Sequence, residues 1–152
     1  MLTDTTITLY NKVKLAGGKE LYKKTIITKN SRTTGATWHG KTLGTVSNTE
    51  SGKGMLNMAN NINIRIPLNN NFSEGKSYID EKAWFKLSDI DREKYFTIQV
   101  SDKVVKGICS YEYSDTNLIT KLDSFDNVAT VMAKDINNYG GRCMQHLYIG
   151  GK

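Results

Sequence analysis

Alternating apolar and polar residues recur along most of this chain, and they predict a protein built mainly from β-strands. The clearest run is residues 61–68, in which isoleucine or leucine stands at every second position. A period of two places one set of side chains on one face of a strand, as in a half-buried sheet. Residues 5–10 and 21–28 show similar patterns, so the first part of the chain is predicted to form a meander of strands.

The C-terminal part carries the strongest hairpin signal. Two β-rich runs, residues 128–136 and 142–149, flank the Asn/Gly-rich residues 137–141. Such a cluster between two strands is typical of a β-hairpin. Residues 96–100 and 103–109 predict a further strand pair around a tight turn at Ser101-Asp102.

Two short helices are predicted in the second half of the chain. Ser88 is followed three residues later by Asp91, which is the capping-box pattern that begins a helix. Residues 115–125 have apolar positions at helical spacing and predict a short surface helix.

The alternation disappears between residues 41 and 59. This stretch is rich in Gly, Ser, Thr and Asn, and it is longer than an ordinary connection in a compact domain. We predict an extended loop here that is functional, mobile or both. Met55, Leu56 and Met58 would pack its end onto the body of the protein or onto a partner.

With 152 residues, the chain fits one domain that can bury a real core. The predicted fold is mainly β: a single small β-barrel or sandwich-like domain, residues 1–152, with one or two short helices and the long projecting loop at 41–59. A barrel or a sandwich is the natural way to bury so many alternating strands.

The net charge of +6 is concentrated between Lys12 and Arg32, which we call the basic segment. Seven bases lie there against one acid, Glu20, and the rest of the chain is neutral. Such a segment attracts nucleic acid or an acidic protein surface, or it is an edge strand that its lysines protect from pairing. The basic residues are Lys12, Lys14, Lys19, Lys23, Lys24, Lys29 and Arg32.

No catalytic or cofactor-binding pattern is present in the sequence. His39, His146, Cys109 and Cys143 are its only histidines and cysteines, and they lack the spacing of a zinc site. Cys143 and His146 would point to opposite faces of one strand, so we interpret both as packing residues. Gly52-Lys53-Gly54 lacks the rest of a phosphate-binding loop. We therefore predict a protein that is not an enzyme and needs no cofactor.

No apolar run is long enough to cross a bilayer, and the N-terminus lacks the features of a signal peptide. We therefore expect the chain to stay in the cytoplasm or to leave by cell lysis. Two cysteines are too few for a disulfide framework, and we expect both to be small buried strand residues.

Several segments together resemble a family of small proteins from the structural gene clusters of tailed bacteriophages. The N-terminal pieces are Ile7-Thr8-Leu9-Tyr10-Asn11 and Trp38-His39-Gly40. The others are residues 86–97, residues 102–107, Ala129-Thr130-Val131-Met132 and the final residues 146–152. The resemblance covers most of the chain outside residues 41–59.

The resemblance implies a head–tail connector component of the stopper, or head-closure, type. Such a protein forms a homo-oligomeric ring, sixfold or twelvefold, that closes the DNA channel in the virion neck. Its neighbours would be portal or adaptor proteins above and tail-terminator or tail-tube proteins below, and it would be assembled in the host cytoplasm without a membrane. Candidate contacts to neighbours or to packaged DNA are His39, Lys41, Lys53 and Met55, together with the basic segment.

Two other interpretations stay open at this point. A tail-terminator or tail-completion protein is also small and ring-forming. An OB-like nucleic-acid-binding module would use the basic segment together with nearby aromatic residues, Tyr10, Tyr22 and Trp38.

Overall fold

The computed structural model describes residues 2–14, 18–48, 54–68, 76–114 and 116–152. The long strands are β1 (Ile7–Lys14), β2 (Glu20–Ile27), β3 (Thr37–Asn48), β4 (Gly54–Pro67), β8 (Val128–Asn137) and β9 (His146–Gly151). The short elements are β5 (Ser77–Tyr78), α1 (Glu81–Lys86), α2 (Asp89–Arg92), β6 (Tyr95–Phe96), β7 (Lys103–Lys106) and two 3-10 helices, Ile119–Ser124 and Arg142–Met144.

Seven of these strands form one antiparallel sheet in the order β2-β1-β7-β8-β9-β4-β3. One core cluster receives buried side chains from all seven strands, including Leu9, Trp38, Ile64, Val131 and Ile149. The sheet therefore curls around a single core, because side chains from opposite ends of a flat sheet would not meet. The prediction of a mainly β fold is confirmed.

The predicted closure into a barrel is wrong. The edge strands β2 and β3 do not pair with each other in the described part of the chain. A single bridge between Thr5 and Ala36, with hydrogen bonds of 3.0 and 2.9 Å, draws the start of β1 toward the start of β3. This bridge does not close the sheet, because β2 pairs with β1 from Ile7 to Lys14 and so occupies the edge at which β3 would have to pair.

Helix α1 packs against one end of the curled sheet, and α2 packs against α1. Trp84 of α1 is completely buried, and its indole N–H donates to the carbonyl of Lys12 in β1 at 3.3 Å. Arg92 of α2 donates to the carbonyl of Trp84 and forms an ion pair of 2.8 Å with Asp89. The predicted cap is confirmed, since Ser88 accepts a hydrogen bond from the amide of Asp91.

A second, smaller cluster lies on the outer face of the sheet. The segment after β7 crosses strands β1 and β2 and covers Tyr10, whose hydroxyl donates to the carbonyl of Tyr111 at 2.7 Å. Cys109 and Leu122 are buried in this layer. The predicted surface helix in this region is the 3-10 helix Ile119–Ser124.

Most of the predicted loop at 41–59 is β-strand. Residues 41–48 of β3 pair with residues 54–61 of β4 in an unbroken antiparallel register. The composition misled the prediction, because ladder hydrogen bonds between two backbones do not require apolar alternation. Residues 49–53, which include Lys53, lie outside the described residues.

Candidate functional site

The hairpin of β3 and β4 extends beyond the sheet that carries it. β9 pairs with β4 only between Ile62 and Pro67. Beyond that point, residues 41–48 and 54–61 pair with each other and with no further strand in the described part of the chain. We call these two segments the ribbon. Its eight paired positions in β3 span about 27 Å at the usual rise of about 3.4 Å per residue.

The ribbon is anchored firmly at its root. Trp38 is 8% exposed and pairs with the buried Ile64 of β4. The amide of Trp38 donates to the carboxylate of Asp4 at 3.2 Å. Gly35 has φ of 103°, and a Cβ there would lie 2.7 Å from the carbonyl oxygen of Thr5. Only glycine allows this close approach, so the start of β3 has a defined direction.

The ribbon is nearly uncharged. Lys41 is the single charged residue among its sixteen paired positions, and the remainder are apolar, small or amide residues. An isolated two-stranded hairpin is marginally stable in water. A long, uncharged edge strand is also a ready template for a partner strand, which natural proteins otherwise block with charge. The ribbon therefore has the properties of a docking element.

The structure places the predicted loop contacts around this ribbon. His39 is exposed at the root of the ribbon, opposite Asn63. Lys41 lies opposite Asn61, and Met55 lies opposite Ser47 near the far end of the ribbon. These positions belong to one element, although Lys53 cannot be placed because it lies outside the described residues.

The basic segment does not form one uniform patch. Lys12 forms an ion pair of 2.7 Å with Glu20, and Lys24 forms an ion pair with Glu112. Lys29 donates to the carbonyl of Thr3 at 2.6 Å. Lys14, Lys19 and Arg32 are exposed, whereas Lys23 is half-buried. The segment spans β1, the edge strand β2 and the connection to β3, and much of its charge has local partners.

Side chains block the exposed edge of β2. The Lys76 ammonium donates to the carbonyl of Lys24 at 3.1 Å, and the Tyr113 hydroxyl donates to the carbonyl of Glu20 at 3.1 Å. These carbonyls would otherwise accept from an added strand. The edge of β2 is therefore protected, but the two protecting side chains lie outside the basic segment.

The histidines and cysteines do not converge on one site. His146 contacts the carbonyl of Met144 and the side-chain amide of Asn137, which fits the predicted structural role. Cys109 is buried and Cys143 is exposed, and they are not bonded to each other. The prediction that both are buried strand residues is wrong. Cys143 is exposed in the 3-10 helix Arg142–Met144, and Cys109 is buried but lies in the segment after β7, outside a strand.

A buried polar cluster lies at the α1 end of the core, and the sequence did not predict it. The completely buried carboxylate of Asp102 accepts hydrogen bonds from the Asn11 side chain at 2.8 Å and from the amides of Lys12 and Gln99 at 3.1 and 3.0 Å. Burial raises the pKa of Asp102 to about 7, although these three hydrogen bonds oppose the shift.

This cluster joins β1 to the segment before β7. The Gln99 side chain donates to the carbonyl of Lys12 at 2.9 Å, and the Thr97 amide donates to the Asn11 side chain at 3.3 Å. A polar residue such as Asn11 at a core-facing position of an alternating strand was the available signal. Its partners, however, lie more than 80 residues away along the chain.

A groove of about 650 Å³ separates helix α1 from strand β8. Its lining comprises Tyr78, residues 80–83, Lys86 and residues 134–136. Lys134 crosses the groove to form an ion pair of 2.5 Å with Glu81. Grooves of this size that are mostly apolar are typical binding surfaces.

Within the described residues, no group of three or more His, Cys, Asp or Glu side chains is arranged to hold a metal ion. None of the helices in the described ranges is long and apolar enough to cross a membrane.

Comparison with known proteins identifies the family of the chain but not its activity. Residues 2–152 match the model of a family of unknown function, DUF6751, and the chain belongs to that family. Neither the comparison with curated proteins nor the comparison with solved structures gave a match.

Proposed function

We propose that this protein is a structural subunit of the neck of a tailed bacteriophage, a head–tail connector of the stopper type. It acts as a non-enzymatic member of a homo-oligomeric ring that closes the DNA channel and joins head to tail. The proposal combines the sequence resemblance with one structural observation, the projecting ribbon.

The ribbon supports the ring role because it needs a partner. It extends about 27 Å beyond the last position at which β9 supports it. A rigid anchor at Trp38 and an almost uncharged sequence suit an arm that docks on a neighbouring subunit.

The OB-like alternative receives less support from the geometry. Tyr10 is completely buried and Trp38 nearly so, which removes two of the three aromatic platforms that it requires. Tyr22 is half-buried and packs edge-on against Tyr113, with ring centroids 5.1 Å apart. The paired lysines of the basic segment further reduce the charge that is free for phosphate contacts.

Binding to a portal ring tests the proposal. The purified chain is mixed with the portal ring encoded by the same genome, and the complex is imaged by electron microscopy. A ring of density with sixfold or twelvefold symmetry beneath the portal is the expected result. The nucleic-acid alternative would be supported if the chain does not bind the portal ring but binds short DNA oligonucleotides with a steep salt dependence.

A further inference from the structure

Both edges of the ribbon are free of strand pairing in the described part of the chain. On the β4 side, β9 pairs only as far as Ile62, so residues 54–61 have β3 as their single partner strand. On the β3 side, residues 41–48 pair with β4 alone. In an antiparallel pair, about half of the main-chain N–H and C=O groups of each strand point away from its partner. Each edge of the ribbon therefore offers a row of main-chain donors and acceptors.

The two edges match each other in length and direction. Residues 41–48 and 54–61 are equally long, and they run antiparallel without a register shift. Rotation about the axis of a ring preserves the direction of a strand along that axis. β3 of one copy would therefore lie antiparallel to β4 of the next copy, as it does to β4 of its own chain. The ribbon can thus repeat around a ring as one continuous antiparallel sheet.

The charges of the two edges select this arrangement over pairing of like edges. Residues 54–61 carry no charge, and residues 41–48 carry one, that of Lys41. When β3 faces residues 54–61 of another copy, Lys41 meets an uncharged strand in every register. When β3 faces a second β3, both strands of the interface carry Lys41, and the β4 edges stay unpaired. Pairing of unlike edges therefore separates the like charges and uses both edges of each ribbon.

Side chains already occupy two other stretches of sheet edge. At β2, Lys76 and Tyr113 donate to outward carbonyls. At the end of β8, beyond its pairing with β7, the carboxylate of Asp135 accepts from the amide of Ile136 at 2.8 Å. A strand from a second copy would have to displace these groups. The ribbon is therefore the better place for strand pairing between copies.

We infer that the ribbons of neighbouring copies pair edge to edge, with β3 of one copy hydrogen-bonded to β4 of the next. This inference rests on the proposed ring and names the contact between its subunits. The contact joins two different surfaces of the chain, so it is heterologous, and its repetition generates a closed ring when the rotation between copies closes. Such a ring leaves no ribbon edge unpaired, as in a closed barrel.

Cross-linking of cysteine variants tests which edges meet. Thr45→Cys marks β3 and Asn57→Cys marks β4, each in a chain that also carries Cys143→Ser to remove the exposed native thiol. The two variants are co-expressed and treated with a short flexible bismaleimide, which tolerates a register shift of about two residues. Covalent dimers should form in the mixed assembly, and neither variant assembled alone should give them.

The matched control replaces Asn57→Cys by Ile90→Cys, on helix α2 and 77% exposed, which should not cross-link to Thr45→Cys. Dimers from Thr45→Cys alone would show that β3 pairs with β3, and they would overturn the inference. An intact mixed ring that gives no dimers would overturn it as well.

A charge placed on the β3 edge gives an independent measurement. Val46→Lys adds an edge lysine of the kind that blocks strand addition, and it should weaken self-association at least about tenfold. The control Ile90→Lys should leave self-association within about twofold. Both variants should keep the circular dichroism spectrum of the unmodified chain.

The association measurements separate this inference from the proposed function. Normal association of Val46→Lys would overturn the ribbon contact while leaving the ring intact. Failure of the unmodified chain to associate in any condition, alone or with a portal ring, would overturn the proposed function and this inference with it.

Discussion

The two edges of the sheet differ in how they meet solvent. Strand β2 is lined with lysines, and its outward carbonyls accept from Lys76 and Tyr113. Strand β3 begins against Asp4 and Thr5 but continues as a ribbon with one charged residue, Lys41, which no further described strand covers. Natural sheets block edges that must stay monomeric. The contrast suggests that one edge is protected and the other is kept for a partner.

The largest expected effect is on the free energy of unfolding, which a substitution in the core of the sheet should lower much more than one in the ribbon. Ile64→Ala removes a completely buried side chain and should lower the free energy of unfolding by about 2–5 kcal/mol. Leu56→Ala in the ribbon should change the free energy of unfolding of the isolated chain by at most about 0.5 kcal/mol. Urea unfolding followed by circular dichroism measures both. Equal losses would show that the ribbon is as firmly packed as the core.

The next effect concerns Asp102, which is completely buried at the α1 end of the core. Its pKa of about 7 lies above the ordinary value of 3.8, so the folded state holds the proton more tightly than the unfolded state. The contribution of Asp102 to the free energy of unfolding should therefore be full below about pH 4, fall as the pH rises toward 7 by up to about 1.4 kcal/mol per pH unit, and then level off.

Asp102→Asn provides the control for this pH dependence. The variant cannot ionise at this position, so its stability should change less between pH 5 and pH 7 than that of the unmodified chain. Parallel pH profiles for the two proteins would show that Asp102 does not titrate in this range.

Only part of this contrast could be predicted from the sequence. The alternation at Ile62, Ile64 and Ile66 correctly predicts β4, and Ser88 correctly predicts the start of α2. The ribbon was missed because Gly, Ser, Thr and Asn dominate it, and its pairing is set by the register that Trp38 and Ile64 begin.

The predicted strand at 96–100 shows a second limit. Only Tyr95 and Phe96 pair there, with β5. The amides of Thr97 and Gln99 instead donate to the side chains of Asn11 and Asp102. Asn11 is distant in sequence and Asp102 is polar, so the pattern of apolar residues does not reveal that side chains replace a strand.

Limited proteolysis gives a smaller, local test of the same contrast. The isolated chain should be cut first within residues 41–61, because a two-stranded ribbon opens at lower cost than the core sheet. Mass spectrometry of the first fragments locates the cut. In the assembled ring the same residues should be protected, and a ribbon that resists cleavage in the free chain would count against a docking arm.

The smallest effect is expected at the protected edge. Tyr113→Phe removes the hydroxyl that donates to the Glu20 carbonyl and should cost at most about 1 kcal/mol. Its clearer result should be increased self-association at high concentration, measured by light scattering. The unmodified chain at the same concentration is the control, and unchanged scattering would mean that this hydrogen bond does not protect β2.

The mass of the purified protein tests the central claim most directly. Native mass spectrometry should find six or twelve copies of the 17.1 kDa chain in one assembly. A shortened variant, in which an Asn-Gly turn replaces residues 42–60 and joins the paired positions Lys41 and Asn61, should be a folded monomer. The account is contradicted if both proteins are monomeric at every concentration, or if the shortened variant assembles as well as the full chain.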